Sequence, residues 1–203
     1  IVVLYPDNVH NYNVKEQDVE AIVDEHVVKG RVVENLDHAV AGMDVGVKAY
    51  HTMGLTREQT RVVLDRSWKL DPENIDEVLA NGGYSALEKI LDQEIEPQDV
   101  INELKASNLR GRGGAGFPTG LKWEFTRHAE GDEKYVICNA DEGEPGTFKD
   151  RLILEGDPHK LVEAMIIAGY AIGAQKGYIY IRGEYKLSIQ RTQKAIDQAL
   201  KIN

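Results

Sequence analysis

The sequence predicts an α/β protein, and three observations lead there. Residues 135–201 alternate strand, helix, strand and helix, with connections long enough for a right-handed crossover between parallel strands. The chain has 203 residues, 42% of them hydrophobic, enough for a sizeable core and one to two domains. No apolar run approaches the roughly 18–20 residues that a membrane span requires, so no direct membrane insertion is expected.

Taken in order, "IVVLY" is a β-branched strand, "PDN" a turn and "VHNYNV" an alternating strand. "KEQDVEAIVDEHVVKG" places Val19, Ile22, Val23 and Val27 on one helical stripe that stops at Gly30. A hairpin and one helix cannot bury both faces of their sheet, so residues 1–35 read as the end of a domain. Residues 36–56 show no sustained period and read as a linker. Asp71 before Pro72 starts a helix, "PENIDEVLAN", that "GG" stops. "YSALEKILDQ" and "EPQDVINELKAS" are two further helices, the second running directly into a glycine-rich loop. Strand "YVICNA" (135–140), an acidic turn, a helix from Asp157-Pro158 to Gly173, strand "GYIYIR" and a closing helix "LSIQRTQKAIDQALK" complete the chain.

Charge narrows the function. Residues 1–100 hold 9 Lys/Arg against 20 Asp/Glu, a net of −11, and residues 101–203 hold 15 against 14, a net of +1. Phosphate-backbone contacts need a basic surface, so nucleic acid is not an expected partner. The single cysteine, Cys138, excludes a disulfide scaffold and an all-cysteine metal site within these residues, and is expected to be a small buried strand residue. The six histidines show no metal-ligand spacing. The chain opens at Ile1 with neither an initiator Met nor an export signal. It is read as part of a longer polypeptide in a reducing, intracellular setting.

The loop "RGRGGAGFPTG" (110–120) concentrates five glycines in eleven positions. Gly111 to Gly116 match G-x-G-x-x-G, but an ordinary dinucleotide fold needs a strand before that fingerprint and a helix after it. Here a helix precedes it, and Phe-Pro-Thr-Gly is not expected to continue as one. Glycines remove the Cβ wall and let N–H groups converge on an anion or a flat ring. Arg110, Arg112 and Lys122 could balance phosphate, while Phe117, Trp123 and Phe125 offer stacking faces. The acidic turn "CNADEGEPGTFKDR" (138–151) sits at a strand end, where α/β sheets place ligands. Asp141, Glu142 and Glu144 would repel phosphate and suit ribose or ribityl hydroxyls or a carboxamide. Glu184, beside Gly183 at the next strand end, could take an adenosine 2′-hydroxyl and turn away a 2′-phosphate.

The stretches "LRGRGGAGFPTGLKWEF", "YVICNADEGEPGTFKDRLILEGDPHKLVEAMIIAGYAIGA" and "GYIYIRGEY" resemble the flavin-carrying, NADH-oxidising subunit of respiratory complex I. The same module occurs in NAD-linked hydrogenases, including electron-bifurcating ones, and in NAD-linked formate dehydrogenases. The resemblance covers about residues 60–203. Residues 1–35 resemble the end of a thioredoxin-like two-iron ferredoxin domain, which favours a soluble hydrogenase or formate dehydrogenase over complex I. The implied organisation is residues 1–35 from that domain, a linker at 36–56, and the N-terminal part of a Rossmann-like FMN/NADH-binding domain at 57–203.

The resemblance also implies roles. Gly111, Arg112, Gly113 and Lys122 would hold FMN, Asn139, Asp141 and Glu142 would contact its ribityl chain and ring edge, and Tyr180 and Gly183 would complete its wall. Phe117 and Phe125 would stack with NADH, and Glu144 and Glu184 would contact its polar groups, Glu184 favouring NAD over NADP. The implied chemistry is hydride transfer from nicotinamide to flavin and single-electron steps into iron–sulfur clusters, with no catalytic acid–base residue. Those clusters, and the later part of the FMN site, would lie outside these residues. The implied partners are a two-iron ferredoxin-type subunit and a catalytic hydrogenase or formate dehydrogenase subunit, in the cytoplasm.

Overall fold

A computed structural model describes residues 2–4, 9–11, 13–33, 36, 38–40, 60–67 and 69–202. The chain divides into two units, residues 1–62 and 63–203. In the first, strands β1 (Val2–Leu4), β2 (Val9–Asn11) and β3 (His38–Val40) form an antiparallel sheet in the order β1-β2-β3. β3 falls within the stretch read as a linker; residues 41–56 of that stretch, and the "PDN" turn, lie outside the described residues.

The expected first helix is present in altered form. A 3₁₀ turn at Glu16–Asp18, an α turn at Val19–Ala21 and a π-helical segment at Ile22–Val28 follow one another, together α1. Widening the turn changes the buried set. Ile22 and His26 face inward, while Val19, Val23 and Val27 of the expected stripe are exposed. The stripe assumed an α period that the π segment does not keep.

The second unit opens with helices α2 (Ile75–Ala80), α3 (Ser85–Asp92), α4 (Pro97–Ala106) and α5 (Thr119–His128). α2 begins later than Asp71-Pro72 suggested. The Asn74 side chain caps it by accepting from the Asp76 and Glu77 amides, while Asp71 instead accepts from the Glu73 amide in a tight turn. α4 starts at Pro97, whose ring suits a first helical turn. Then come β4 (Tyr135–Ala140), α6 (Lys149–Gly156), α7 (Pro158–Ile172), β5 (Lys176–Ile181) and α8 (Lys186–Ala199). α7 has the expected limits because Asp157 caps its start by accepting from the Lys160 amide, and Gly173 ends it at φ +78°.

β4 and β5 pair in parallel, from Tyr135 opposite Lys176 to Ala140 opposite Ile181, with α6 and α7 as the crossover. Tyr135, Ile137, Tyr178 and Tyr180 are exposed at alternate positions along the two strands, so one sheet face is open. Cys138 is half-buried rather than buried, and burial, with Asp150 nearby, pushes its thiol up. The core gathers Ile90, Val100, Ile101 and Ala171, with Ile95, Trp123 and Ile167 packed against it. Trp123 therefore packs into the core, contrary to its expected place as a stacking face. An apolar groove of 850 Å³ runs between α7, β5 and α8, and contains none of the expected site residues.

Charged and polar side chains fasten the early helices to α7 and α8. Arg66 Nε donates to Asp157 Oδ2 (2.9 Å), with both side chains largely buried. Glu163 of α7 accepts from the Tyr84, Ala86 and Leu87 amides and so caps α3 from across the fold. Tyr84 Oη lies 3.0 Å from His159 Nδ1, and His159 Nε2 lies 3.2 Å from Gln198 Oε1. Among the described residues no helix is long and apolar enough to cross a membrane.

Candidate functional site

The glycine loop is a closed excursion between α4 and α5. Arg110 and Pro118 bridge its neck in antiparallel fashion, with Gly111 N donating to Phe117 O and Thr119 N to Leu109 O, both at 2.9 Å. A helix precedes it, as expected, and no strand does. The expectation that Phe-Pro-Thr-Gly would not continue as a helix is overturned. Pro118 occupies the cap position at φ −61° and ψ 120°, and α5 starts at the next residue. Proline obstructs a helix interior, but its fixed φ suits an entrance.

The loop residues divide by task. Arg110 Nη1 donates to Gly116 O and Arg112 Nη1 to Arg110 O, both at 3.1 Å, so both guanidiniums bind the loop's own backbone. Gly114 and Gly116 hold φ of +110° and +60°, a region costly to side chains with a Cβ. A Cβ built on Gly113, Gly114 or Gly116 would meet nothing within 4 Å, so open space lies over this backbone. Gly120 differs: its Cβ would lie 2.6 Å from Lys105 N and 3.0 Å from Leu104 C, so it permits α4 and α5 to approach. Phe117 and Phe125 pair with centroids 6.4 Å apart and both stay exposed. Lys122 is exposed and makes no ion pair among the described residues.

The second cluster forms where β4 and β5 end. Strand register puts Asn139 directly opposite Tyr180 on the open sheet face. Asn139 Oδ1 accepts from the Asp141 amide (3.0 Å), which turns the chain out of β4. Glu144 O accepts from Thr147 N and Oγ1, closing the acidic turn while leaving the Glu144 side chain exposed.

Glu142 is turned inward and only 2% exposed. Its carboxylate accepts from the Asp150 and Arg151 amides at 3.0 and 3.3 Å, capping α6, and from Tyr185 Oη at 3.4 Å. Burial works to raise its pKa, but the backbone donors at Asp150 and Arg151 outweigh burial and hold it below the usual carboxylate value. Arg182 Nη1 donates to the Glu142 carbonyl (2.6 Å), and Arg182 Nη2 pairs with Glu184. The structure thus joins Glu142 and Glu184 through Arg182, with Asn139 and Tyr180 paired by register at the ends of the two strands. No hydrogen bond, ion pair or ring contact joins these residues to the glycine loop among the described residues.

Sequence reasoning missed Arg182 and Tyr185, because their contacts are made across two loops. It also missed α5 and α6. The signal for α5 was Pro118 followed by Leu121 and Phe125 at i, i+4; for α6 it was Thr147-x-x-Asp150, although Glu142 supplies the cap.

This site chemistry, open backbone in a glycine loop and hydroxyl-seeking polar groups at parallel strand ends, fits a flat cofactor with a polyol arm. Residues 104–203 match the family described as the Nuo51 FMN-binding domain. The chain is 52% identical over 143 residues to the NADP-reducing hydrogenase subunit HndC of Solidesulfovibrio fructosivorans, covering 70% of this chain and 29% of that protein. It is 54% identical over 140 residues to an NADH-quinone oxidoreductase subunit of Aquifex aeolicus, covering 69% and 32%. Among solved structures, an NAD+-reducing NiFe hydrogenase in the air-oxidized state matches with a TM-score of 0.50 and 45% identity, over 52% of this chain and 19% of that one. The chain therefore spans about a third or less of these relatives. Its residues 104–203, which include the glycine loop and both strand ends, belong to the Nuo51 FMN-binding domain family.

Proposed function

We propose that the protein is an electron-transfer subunit that oxidises NADH, or reduces NAD+, through FMN and exchanges electrons with iron–sulfur clusters in a multi-subunit complex. The observation that carries this is the family match across residues 104–203, which contains every expected cofactor contact from Gly111 to Glu184. Bound FMN supplies hydride acceptance and one-electron release, chemistry that belongs to the cofactor. The chain's residues bind and orient.

The open space over Gly113, Gly114 and Gly116 fits a ring lying against backbone, and Gly111 lets the loop close. Arg112 shapes this loop, and Lys122 brings the positive charge that balances phosphate. Asn139 and Asp141 meet the ribityl chain and ring edge, and Tyr180 and Gly183 form the wall. Glu142 acts through the turn it fixes. Phe117 and Phe125, exposed as a pair, stack with NADH, while Glu144 and Glu184 reach its polar groups.

The finer assignment is to a cytoplasmic hydrogenase or formate dehydrogenase, bifurcating types included, with a ferredoxin-type iron–sulfur subunit and the catalytic subunit as partners. The sequence resemblance of residues 1–35 to the end of a two-iron ferredoxin domain is what supports it. The flavin subunit of respiratory complex I is the other reading, favoured by the 54% identity to the Aquifex aeolicus protein. The test is a visible spectrum of the full polypeptide with its partners, purified anaerobically, before and after NADH. A flavin band that bleaches together with iron–sulfur absorbance supports the function. A colourless preparation that stays silent after added FMN makes this a scaffold subunit instead.

A further inference from the structure

Arg182 sits immediately after β5, and its guanidinium touches both strand-end loops. One nitrogen donates to the Glu142 carbonyl at 2.6 Å and another pairs with the Glu184 carboxylate. Its guanidinium carbon lies over the Tyr185 ring, 5.7 Å from the centroid, and that of Arg151 lies 5.6 Å from the same centroid. Tyr185 Oη in turn reaches the Glu142 carboxylate, which caps α6. Glu142 is buried, so one end of this chain of contacts is anchored. The Glu184 side chain, 57% exposed, is held at the other.

We propose that Arg182 is a specificity-positioning residue: it aims the Glu184 carboxylate, and that carboxylate in turn masks the Arg182 charge. The inference rests on the reading of the site as NAD(H)-binding. An exposed glutamate beside a glycine has many rotamers, and a carboxylate that accepts a ribose hydroxyl must hold one of them. A planar guanidinium fixed to a buried turn restricts that freedom, which a lysine ammonium would do poorly. The pair also hides a cation. With Glu184 removed, the Arg182 fork is left beside the place of the 2′-hydroxyl, where a 2′-phosphate is its natural bidentate partner. Tolerance of NADPH in a Glu184 variant thus arises from an exposed arginine as well as from lost repulsion.

The test is a double-mutant cycle in the flavin-loaded complex, reading kcat/KM for NADH and NADPH with an artificial acceptor, together with flavin bound per polypeptide. Glu184→Gln should raise the NADPH-to-NADH ratio about tenfold or more, and adding Arg182→Gln should remove most of that gain, a coupling of the size seen between contacting charged residues. Arg182→Gln alone should raise KM for NADH several-fold with kcat nearly kept. Arg182→Lys should give a smaller KM rise in the same direction. A ratio that the second substitution leaves within about twofold of the Glu184→Gln value overturns the proposal. So does loss of flavin in both Arg182 variants, which would make the residue a structural strut. If the unaltered complex fails to bleach with NADH, the function falls first and takes this inference with it. Additivity in an active complex refutes the inference alone.

Discussion

Glu163→Ala isolates the contact by which α7 caps α3 within the second unit. Glu163 is 9% exposed, and its carboxylate accepts three amides, Tyr84 N on Oε2 and Ala86 and Leu87 N on Oε1, at 3.0 to 3.3 Å. These are the orphan donors of α3's first turn, which has no side-chain cap of its own. Loss of a helix cap costs about 0.5–2 kcal/mol, and charged acceptors stand at the upper end. Water can reach part of this turn, since Ser85 and Ala86 are exposed, which limits the loss. Tyr84 holds φ +62°, a strained value that the Glu163 bond helps to maintain, and its release returns part of the cost. The balance is about 1.4 kcal/mol, or about tenfold in a local opening equilibrium. Native-state hydrogen exchange on the full polypeptide reads it directly: α3 amides should exchange about tenfold faster while β4 and β5 stay protected. Unchanged exchange in α3 would show that Glu163 does not hold this helix.

Three other outcomes are expected. Gly113→Val should abolish flavin retention while leaving the melting temperature unchanged, because its Cβ enters open space rather than packed protein; a variant that melts normally and keeps its flavin puts the ring elsewhere. Gly120→Ala should lower the melting temperature, because forcing α4 and α5 apart costs about 1–3 kcal/mol and outweighs the roughly 1 kcal/mol gain in helix propensity; calorimetry showing a rise would refute the close approach. Burial holds the His159 imidazole below its ordinary 6.5, against the Gln198 hydrogen bond that works to raise it. The unfolded chain therefore takes up the proton first, so stability present above pH 6.5 is lost as pH falls toward the lowered folded value. His159→Gln should flatten the acid side of the denaturation midpoint against pH, and an equal slope in both proteins would contradict this.

How much of this could be read from residues alone depended on the range of the interaction concerned. α7 was legible to within a residue because Asp157, Pro158 and Gly173 are local signals acting within one turn. β4 and β5 were legible for the same reason, and their parallel pairing followed from the helix read between them. α1 was misjudged in its buried face because nothing local announces a π segment. α6 went unread because its cap is Glu142, several residues upstream across a turn, and α3, though read as a helix, gave no sign that its cap is a carboxylate 79 residues away in sequence. Contacts at that distance leave no periodic trace.

The glycine loop shows the same division inside eleven residues. Its composition announced a backbone kept bare for something to approach, but composition could not say which residue served the visitor and which served the loop. Of the three cations assigned to phosphate, Arg110 and Arg112 each donate one N–H to a loop carbonyl and so also shape the loop, while Lys122 makes no ion pair among the described residues. Of the five glycines, Gly120 belongs to a helix crossing and Gly111 to the neck, where its amide bonds Phe117. Gly113, Gly114 and Gly116 alone stand over open space. A loop that meets its own carbonyls with its own arginines has fewer conformations to give up when a ring enters it. For that reason Gly113 is the position where a single side chain should separate flavin binding from folding, and Gly120 the position where it should not.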